Sequence, residues 1–421
     1  MMYDTVLGYL SHRRGRRALE GMTAHNKTHR VVVIGGGYAG TLAANRLQQN
    51  PDIDITLINP RPQFVHRMRL HQMAAGACEA VVDYGTLLGS GVRLLADRVD
   101  RIDTANRRID LASGDSMGYD YVVYAVGSTA LVPESVEGAA EFAHTVAEYE
   151  AAQRLRATVN ALAPDAWITV VGAGFTGIEV AAELATGGRT VSLVAGAQLA
   201  PTLGGPARRA VSRWMAENGV GLLEDAMVTE VRPDAVVLDD GTVWRSDLTI
   251  WAGGFGVPDL ASRSGLRTDT LGRLITDATL TSIDDDRVLA AGDAAAPSGK
   301  ALRMACYTAG PMAATAADTI LSRIAGTPPE AFSLGYLGSC LGLGRRSAVM
   351  QFTRRDDTPL DVHLRGRVAG AVKELVLKGI LWSLRREGRK PGATSWLKNG
   401  DTVTSPALVD AKGSGHDGPI G

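Results

Sequence analysis

Two segments of the chain repeat one arrangement of strand, glycine-rich turn and helix. The first is RVVVIGGGYAGTLAANRL, from Arg30 to Leu47, which is followed by IDITLIN; the second is ITVVGAGFTGIEVAAEL, from Ile168 to Leu184, which is followed by TVSLVA. A continuous β-branched run indicates a parallel strand that is covered on both faces. A helix between two such strands makes a βαβ unit. The repeat therefore predicts an α/β chain with two such units.

Glycines at fixed spacing shape the first turn. Gly35, Gly37 and Gly40 form the pattern G-x-G-x-x-G directly after the strand and before the helix. The first glycine permits the tight turn, the second lets a pyrophosphate approach the backbone, and the third lets the helix pack close to the strand. The free N–H groups of the helix N-terminus favour the phosphates. The turn predicts a bound dinucleotide, with Asn59 at the place of the acid that usually binds the ribose hydroxyls.

The second turn carries the same pattern in Gly172, Gly174 and Gly177, which predicts a second dinucleotide. Its ribose position holds Ala195, which has no charge to repel a 2′-phosphate, and no arginine follows directly to bind one. The choice between NADH and NADPH is therefore open. We expect discrimination below about 100-fold, because the missing charge-assisted hydrogen bond is worth about 1.5–3 kcal/mol. A nucleotide fold that binds nothing is the alternative.

A third element is VLAAGDAAA, Val288–Ala296, in which a strand ends at Gly292 and Asp293. The carboxyl ends of strands in open α/β sheets are where ligands bind. The Asp293 carboxylate would suit a ribityl hydroxyl of a flavin. A turn or helix-cap role for Asp293 is the alternative.

Composition narrows the classes of function. The chain has 421 residues, with 44 Lys and Arg against 45 Asp and Glu and a hydrophobic fraction of 45%. The resulting net charge of −1 argues against nucleic acid as the main partner. Cys78, Cys306 and Cys340 lie too far apart for a disulphide scaffold or a cysteine-rich zinc site, so we expect no metal and a reducing, cytoplasmic compartment. No apolar run is long enough to span a bilayer.

The three elements in this order resemble flavoproteins with two dinucleotide-binding domains, the pyridine nucleotide-disulphide oxidoreductase superfamily. More narrowly, the chain resembles the type II NADH dehydrogenases and the apoptosis-inducing-factor-like oxidoreductases. The match runs from Arg30 to about Leu321, and it includes YDYVVYAVGS at Tyr119–Ser128 and SDLTIWAGG at Ser246–Gly254. The resemblance implies FAD on the first unit and NAD(P)H on the second.

The resemblance also implies an α/β fold of two Rossmann-like, three-layer domains plus a smaller C-terminal α+β region. We expect these divisions: a flexible N-terminal extension at 1–29, an FAD-binding domain at 30–145 and 270–326, an NAD(P)H-binding domain at 146–269, a C-terminal domain at 327–405, and a flexible tail at 406–421.

Individual residues receive roles from the same resemblance. The glycines of the first turn match the FAD pyrophosphate turn, and those of the second match the NAD(P)H turn. Asn59 takes the place of the adenosine-ribose acid, and Asp293 matches the ribityl-binding aspartate. Glu179 matches the acid near the nicotinamide, with a solvated helix carboxylate as the alternative. The helix that begins near Met304 and Ala305 should point its N-terminus at the flavin, which favours the negative charge of the reduced ring.

The electron acceptor is less constrained than the cofactors. No CxxC or CxxxxC pair is present, so electrons cannot leave through a dithiol, and no FxGxxxHxxxW segment indicates a Baeyer–Villiger-type monooxygenase. The AQxAxQ motif of quinone-binding dehydrogenases is replaced by LRMACYTAG, Leu302–Gly310. We therefore expect a small organic acceptor, quinone-like or aromatic, or oxygen.

A cluster of cationic and titratable side chains lies in the stretch that should return along the flavin. It contains His66, Arg67, Arg69 and His71. We expect Arg69 and His71 in the acceptor pocket, the arginine binding an acceptor oxygen and the histidine donating a proton. The alternative is that the segment only packs against the flavin or binds its phosphates.

The C-terminal region predicts a basic amphipathic helix within Val368–Lys390, with Val372, Leu375 and Val376 at helical spacing. Such a helix can lie on the inner face of the cell membrane, or it can pack on its own domain or on a second subunit of a homodimer.

Two functions stay open at this point. The first is an FAD-dependent NAD(P)H oxidoreductase, in which the cofactors carry the hydride chemistry and the protein supplies position and electrostatics. The second is a redox-sensing FAD/NAD(P)H-binding protein without turnover, of the apoptosis-inducing-factor-like type.

Overall fold

The computed structural model describes residues 28–297 and 302–399. The N-terminal extension predicted up to residue 29 falls outside these ranges except for its last two residues, and the tail predicted from residue 406 lies wholly outside them. The strands, in chain order, are β1 (His29–Ile34), β2 (Ile53–Asn59), β3 (Gln63–Val65), β4 (Val81–Asp83), β5 (Val92–Ala96), β6 (Val99–Asp103), β7 (Arg108–Leu111), β8 (Ser116–Gly118), β9 (Tyr121–Tyr124), β10 (Thr129–Ala130), β11 (Ala143–His144), β12 (Trp167–Val171), β13 (Thr190–Val194), β14 (Gly221–Leu223), β15 (Val228–Val231), β16 (Ala235–Leu238), β17 (Val243–Arg245), β18 (Leu248–Trp251), β19 (Phe255–Gly256), β20 (Leu274–Thr276), β21 (Val288–Ala290), β22 (Ala295–Pro297), β23 (Gly338–Leu343), β24 (Ser347–Thr353) and β25 (Pro359–Arg365). The helices are α1 (Tyr38–Leu47), α2 (Leu70–Ala74), α3 (Ala139–Phe142), α4 (Tyr149–Ala161), α5 (Phe175–Thr186), α6 (Gly205–Glu217), α7 (Leu260–Arg263), α8 (Cys306–Ile324) and α9 (Gly366–Arg389).

The first nucleotide unit is built on a parallel five-stranded sheet in the order β21-β9-β1-β2-β5. Its central strand β1 is a β-branched run whose residues from Val31 to Ile34 are buried, as a strand covered on both faces requires. Ala-rich α1 packs against α8, and both helices join the sheet in one core. Ile102 and Ile109, from the antiparallel sheet β6-β7-β8, complete that core.

The second nucleotide unit repeats this plan with the parallel order β11-β18-β12-β13-β14. Its core combines the sheet with apolar side chains of α4, α5 and α6, such as Leu155, Ile178 and Val211. In each sheet, the glycine turn follows the central strand, so both turns lie at the carboxyl edge where such sheets bind nucleotides.

The C-terminal region consists of the antiparallel sheet β23-β24-β25 and the long helix α9. Helix α9 lies against β24 and reaches α1 of the first unit. Among the described residues, no helix is long and apolar enough to cross a membrane.

The predicted fold class is confirmed: the protein is a mixed α/β chain with two parallel, Rossmann-like cores. Helix α8 ends at Ile324, just before the predicted boundary at Thr327, and the predicted C-terminal helix is α9. The exact domain boundaries stay a prediction.

Candidate functional site

The first glycine turn has the geometry that a pyrophosphate needs. Gly35 has φ +98°, in the left-handed region that favours glycine, and a Cβ on Gly40 would collide with the Gly35 carbonyl oxygen. A Cβ on Gly37, by contrast, would meet no atom of another described residue within 4 Å, apart from its chain neighbours. Open space therefore lies beside the second glycine, where the dinucleotide pattern places the phosphates.

Asn59 and Tyr84 hold this turn in place. The Asn59 side-chain oxygen accepts a hydrogen bond from the Gly36 N–H at 3.0 Å, and the Tyr84 hydroxyl donates to the Gly36 carbonyl at 2.6 Å. Asn59 lines the same cavity as the turn, so it lies where the sequence places the ribose contact. Its binding role stays a prediction, because its oxygen already serves the backbone. Tyr84 was not foreseen, since a tyrosine after β4 has no sequence signature.

One cavity of about 460 Å³ extends from the glycine turn across the molecule. It passes Ser128 and Asp293, continues along the N-terminus of α8, and reaches Glu179 on the second unit. The run of lining residues from the glycine turn to Asp293 and α8, with the open space beside Gly37, fits a long dinucleotide such as FAD. The Ser128 hydroxyl donates to Asp293 Oδ2 at 2.7 Å, so the carboxylate is held at the cavity wall. Its predicted role toward a ribityl chain is therefore geometrically available.

Met304 and Ala305 also line the cavity, at the point where α8 begins. Ala305 is the N-cap residue and provides no side-chain cap, so the first N–H groups of α8 are left for another acceptor. The helix dipole makes this end favourable for negative charge. This geometry suits the predicted contact with the reduced flavin ring, which stays a prediction.

Cys306 lines the same wall, and burial raises the pKa of its thiol to about 11. Its Sγ lies 3.0 Å from Met68 Sδ, in an apolar setting. A thiol with a raised pKa is a poor nucleophile, so Cys306 has the character of a core cysteine. Among residues 28–297 and 302–399, no group of His, Cys, Asp and Glu side chains is arranged to hold a metal ion.

The second turn repeats the geometry of the first. Gly172 has φ +106°, and a Cβ on Gly177 would collide with the Gly172 carbonyl oxygen. A Cβ on Gly174 would have nothing within 4 Å in the described part of the chain beyond its own neighbours. At the ribose end, the strand pairing places Val194 beside Leu223, so Ala195 and Glu224 are neighbours on adjacent strand ends. The Glu224 carboxylate accepts a hydrogen bond from the Leu199 N–H at 3.0 Å and is exposed. The Glu224 carboxylate therefore lies close to Ala195, the position at which the dinucleotide pattern usually has an acid, but it follows a different strand.

Glu179 lies in a three-residue ionic cluster that sequence reasoning foresaw only in part. Lys373 of α9 forms an ion pair with its Oε1, and His71 Nδ1 lies 3.4 Å from its Oε2. The Gly342 N–H also donates to Glu179, at 2.8 Å. Burial alone would raise the pKa of Glu179, but the Lys373 charge, His71 and these hydrogen bonds lower it below its usual value. Glu179 is therefore not the solvated helix carboxylate of the alternative reading.

His71 is buried, and that burial lowers its pKa to about 4 despite the nearby Glu179 carboxylate. It lines the cavity, as does Arg67, whose Nη1 donates to the Ser128 carbonyl at 2.7 Å. Arg69 lies behind this wall, because its guanidinium binds Gln72 and Glu374. The structure therefore brings His71 to the predicted pocket and directs Arg69 toward helix α9.

Together, the two glycine turns and the cavity that runs from the first turn to Glu179 define a flavoprotein with two dinucleotide sites. The chain belongs to the pyridine nucleotide-disulphide oxidoreductase family, whose model matches residues 29–319. FAD and NAD(P)H are its cofactors, and the protein is an FAD-dependent NAD(P)H oxidoreductase.

Known proteins support this assignment. The chain is 31% identical over 352 residues to an NADH dehydrogenase-like protein of Mycobacterium tuberculosis, and the alignment covers 76% of this chain and 87% of that protein. It is 24% identical to a type II NADH:quinone oxidoreductase of Haemophilus influenzae, in an alignment that covers 77% of this chain and 87% of that protein. The fold matches the sulfide:quinone oxidoreductase of Aquifex aeolicus with a TM-score of 0.77 and 20% sequence identity. The superposition covers 90% of this chain and 99% of that one.

Proposed function

We propose that the protein transfers a hydride from NAD(P)H to FAD and then reduces a small quinone-like acceptor. The observation that carries the proposal is the single cavity, which joins the N-terminus of α8 and Asp293 to Glu179 and His71. Both dinucleotides would meet there, because the cavity begins at the first glycine turn and reaches Thr176 and Glu179 on α5, the helix that follows the second glycine turn. Relatives named for NADH:quinone oxidoreductase activity support the choice of acceptor class.

The chain's own residues would position the reactants and balance charge. The free N–H groups at the start of α8 would stabilise negative charge on the flavin ring. Glu179, held by Lys373 and the Gly342 N–H, would orient the nicotinamide end of NAD(P)H. FAD, when bound, supplies the two-electron chemistry.

The acceptor would contact the wall formed by Arg67, Met68 and His71. His71 is neutral near pH 7, because its pKa is lowered to about 4, so it can hydrogen-bond an acceptor oxygen without carrying a fixed charge. Arg69 would act as a positioning residue, since it fixes Gln72 and Glu374.

A membrane-facing surface would give access to a lipid-soluble acceptor. Large apolar side chains are exposed together on β25 and on the outer side of α9: Val362, Leu364, Val368, Leu375, Val376 and Trp382. Exposed basic residues lie among them: Arg365, Arg367, Lys378, Arg386 and Arg389. Apolar side chains bordered by basic ones suit the surface of an anionic bilayer. We call this set of residues the α9 surface.

The test separates the two half-reactions. Purified protein is reduced anaerobically with NADH or NADPH and then mixed with quinones, aromatic acceptors or oxygen in a stopped-flow instrument. We expect fast reoxidation by a quinone. Slow reoxidation by every acceptor, with a long-lived reduced complex, would favour the redox-sensing alternative.

A variant series locates the acceptor wall. In His71→Ala, we expect FAD content and flavin reduction within a few-fold of wild type and reoxidation by quinone at least tenfold slower. His144→Ala, on β11 and outside the cavity, is the matched control. If His71→Ala instead loses FAD and keeps its turnover per bound flavin, the segment only packs against the cofactor.

A further inference from the structure

Glu183 is a buried carboxyl group that the functions described so far do not use. It lies one helical turn beyond Glu179 on α5 and is only 3% exposed. Its Oε1 accepts a weak hydrogen bond from the Gln72 amide at 3.3 Å. Its Oε2 is buried and has no hydrogen-bond partner among the described residues.

An ionised carboxylate with one unpaired oxygen is costly in such a place. Burial raises the pKa of Glu183, and the Glu179 charge raises it further, while Gln72, Arg345 and Lys373 oppose the shift. Cys78 also faces Glu183, and burial raises the pKa of its thiol, so the thiol brings no positive charge to the carboxyl group. Glu183 is therefore the acid in this cluster whose pKa burial raises, and its unpaired Oε2 is where a bound proton would relieve the cost of the buried charge.

The position of Glu183 connects the cavity with the surface. On the cavity side, i,i+4 neighbours on a helix have Cβ atoms about 5–6 Å apart. Lys373 and the Gly342 N–H hold Glu179 in place, so it is rotation of the Glu183 side chain that can bring its carboxyl group to Glu179. Glu179 in turn contacts His71, which lines the cavity. On the other side, Arg345 lies in the exposed turn between β23 and β24.

The proposed reaction needs one proton from outside the cofactors. NAD(P)H gives up a hydride, which contains two electrons and one proton, and becomes NAD(P)⁺. A quinone takes up two electrons and two protons to become the hydroquinone. The second proton must come from solvent, through the protein.

We propose that Glu183 stores this second proton and passes it through Glu179 and His71 to the reduced quinone, and that it is reloaded from solvent beside Arg345. This inference rests on the proposed quinone reduction. It makes Glu183 a positioning residue for the proton, since it does not touch the acceptor.

Glu183→Gln tests the idea, because the amide keeps the shape and the contact with Gln72 and loses the proton. Flavin reduction by NADH should stay within about twofold of wild type. Reoxidation by a short-chain benzoquinone should fall at least tenfold, since proton transfer typically contributes 10²–10⁴-fold. Reoxidation by ferricyanide, which takes electrons without protons, should be unchanged. Glu183→Asp should restore part of the quinone rate.

A spectroscopic readout is independent of turnover. The infrared difference spectrum between oxidised and reduced protein should contain a protonated-carboxyl band. Glu183→Gln should remove this band. Glu217→Gln, a control at the exposed end of α6, should retain it. Quinone reoxidation at the wild-type rate in Glu183→Gln would overturn the proposal, as would an equal loss with ferricyanide or an unchanged band. If wild-type protein is reoxidised by ferricyanide but by no quinone, the proposed function itself fails and the role of Glu183 falls with it.

Discussion

Lys373 on α9 and Glu179 on α5 form a buried ion pair, although 194 positions separate them in the chain. Their side chains are 8% and 14% exposed. Glu374, the next residue of α9, binds Arg69 beside the acceptor wall. Two successive residues of the C-terminal helix therefore hold the second nucleotide unit and the segment that lines the cavity.

Replacing one partner should leave a buried charge uncompensated. We expect Lys373→Met to lower the free energy of unfolding by about 3–5 kcal/mol, because Glu179 loses its counter-charge. The double variant Lys373→Met/Glu179→Gln should recover most of that loss. Urea unfolding of the holoprotein measures both. Lys378→Met, an exposed lysine one turn later, is the control and should change stability by less than about 1 kcal/mol. Equal effects of the two lysine substitutions would show that the buried pair contributes little.

Substitutions in the two glycine turns should impair the binding of one cofactor each. Within residues 28–297 and 302–399, a Cβ on Gly37 or on Gly174 would have only its chain neighbours within 4 Å, so we expect an added valine side chain to meet the nucleotide rather than the fold. Gly37→Val should fold but purify with little FAD. Gly174→Val should stay yellow with FAD and lose reduction by NAD(P)H. Circular dichroism and flavin absorbance measure these outcomes. FMN as the native flavin, or Gly37→Val with full FAD content, would contradict a pyrophosphate at this turn.

The sequence predicts the parts of this molecule that depend on local patterns. Continuous apolar strands and glycine spacing identified both sheets and both turns, because each βαβ unit with its turn is encoded in about 30 consecutive residues. The contacts of Lys373 were not predicted: a lysine on an amphipathic helix reads as a solvated or snorkelling residue, and only the packing of α9 against β24 turns it toward Glu179. Arg69 and His71 are neighbours in one segment, but the short helix α2 directs them to different partners.

The α9 surface should bind anionic membranes. We expect cosedimentation with phosphatidylglycerol vesicles and much weaker binding to phosphatidylcholine, reduced by salt. Leu375→Glu and Trp382→Glu should each weaken binding at least tenfold, since burial of such a side chain is worth about 1.5–3 kcal/mol. Val243→Glu, at an exposed apolar site on β17, is the control. Equal binding of all variants would remove the α9 surface as the contact, and a change of oligomeric state in Leu375→Glu would point to a subunit interface instead.

Glu224 should influence the choice of nucleotide. Wild-type discrimination is still expected below about 100-fold, because Ala195 carries no acid. The exposed Glu224 carboxylate nearby should disfavour a 2′-phosphate modestly. Glu224→Gln should therefore raise the NADPH/NADH ratio of kcat/KM by about two- to fivefold, while its amide oxygen can still accept the Leu199 N–H. Glu217→Gln is the control. An unchanged ratio would mean that the ribose lies elsewhere.

Acidification should destabilise the protein through two buried histidines. Burial lowers the pKa of His66 and of His71 to about 4, against about 6.5 in the unfolded chain. Between these values the unfolded state binds more protons, so the stability of the folded state falls as the pH drops from about 6.5 to 4. Each histidine contributes at most about 1.4 kcal/mol per pH unit.

Urea unfolding of the holoprotein at pH 7, 6 and 5 measures the slope. His71→Gln removes one titrating group and should reduce the slope even if its stability at pH 7 is lower, because the slope counts protons and not contacts. A slope that His71→Gln leaves unchanged would mean that His71 is already protonated beside Glu179 in the folded protein.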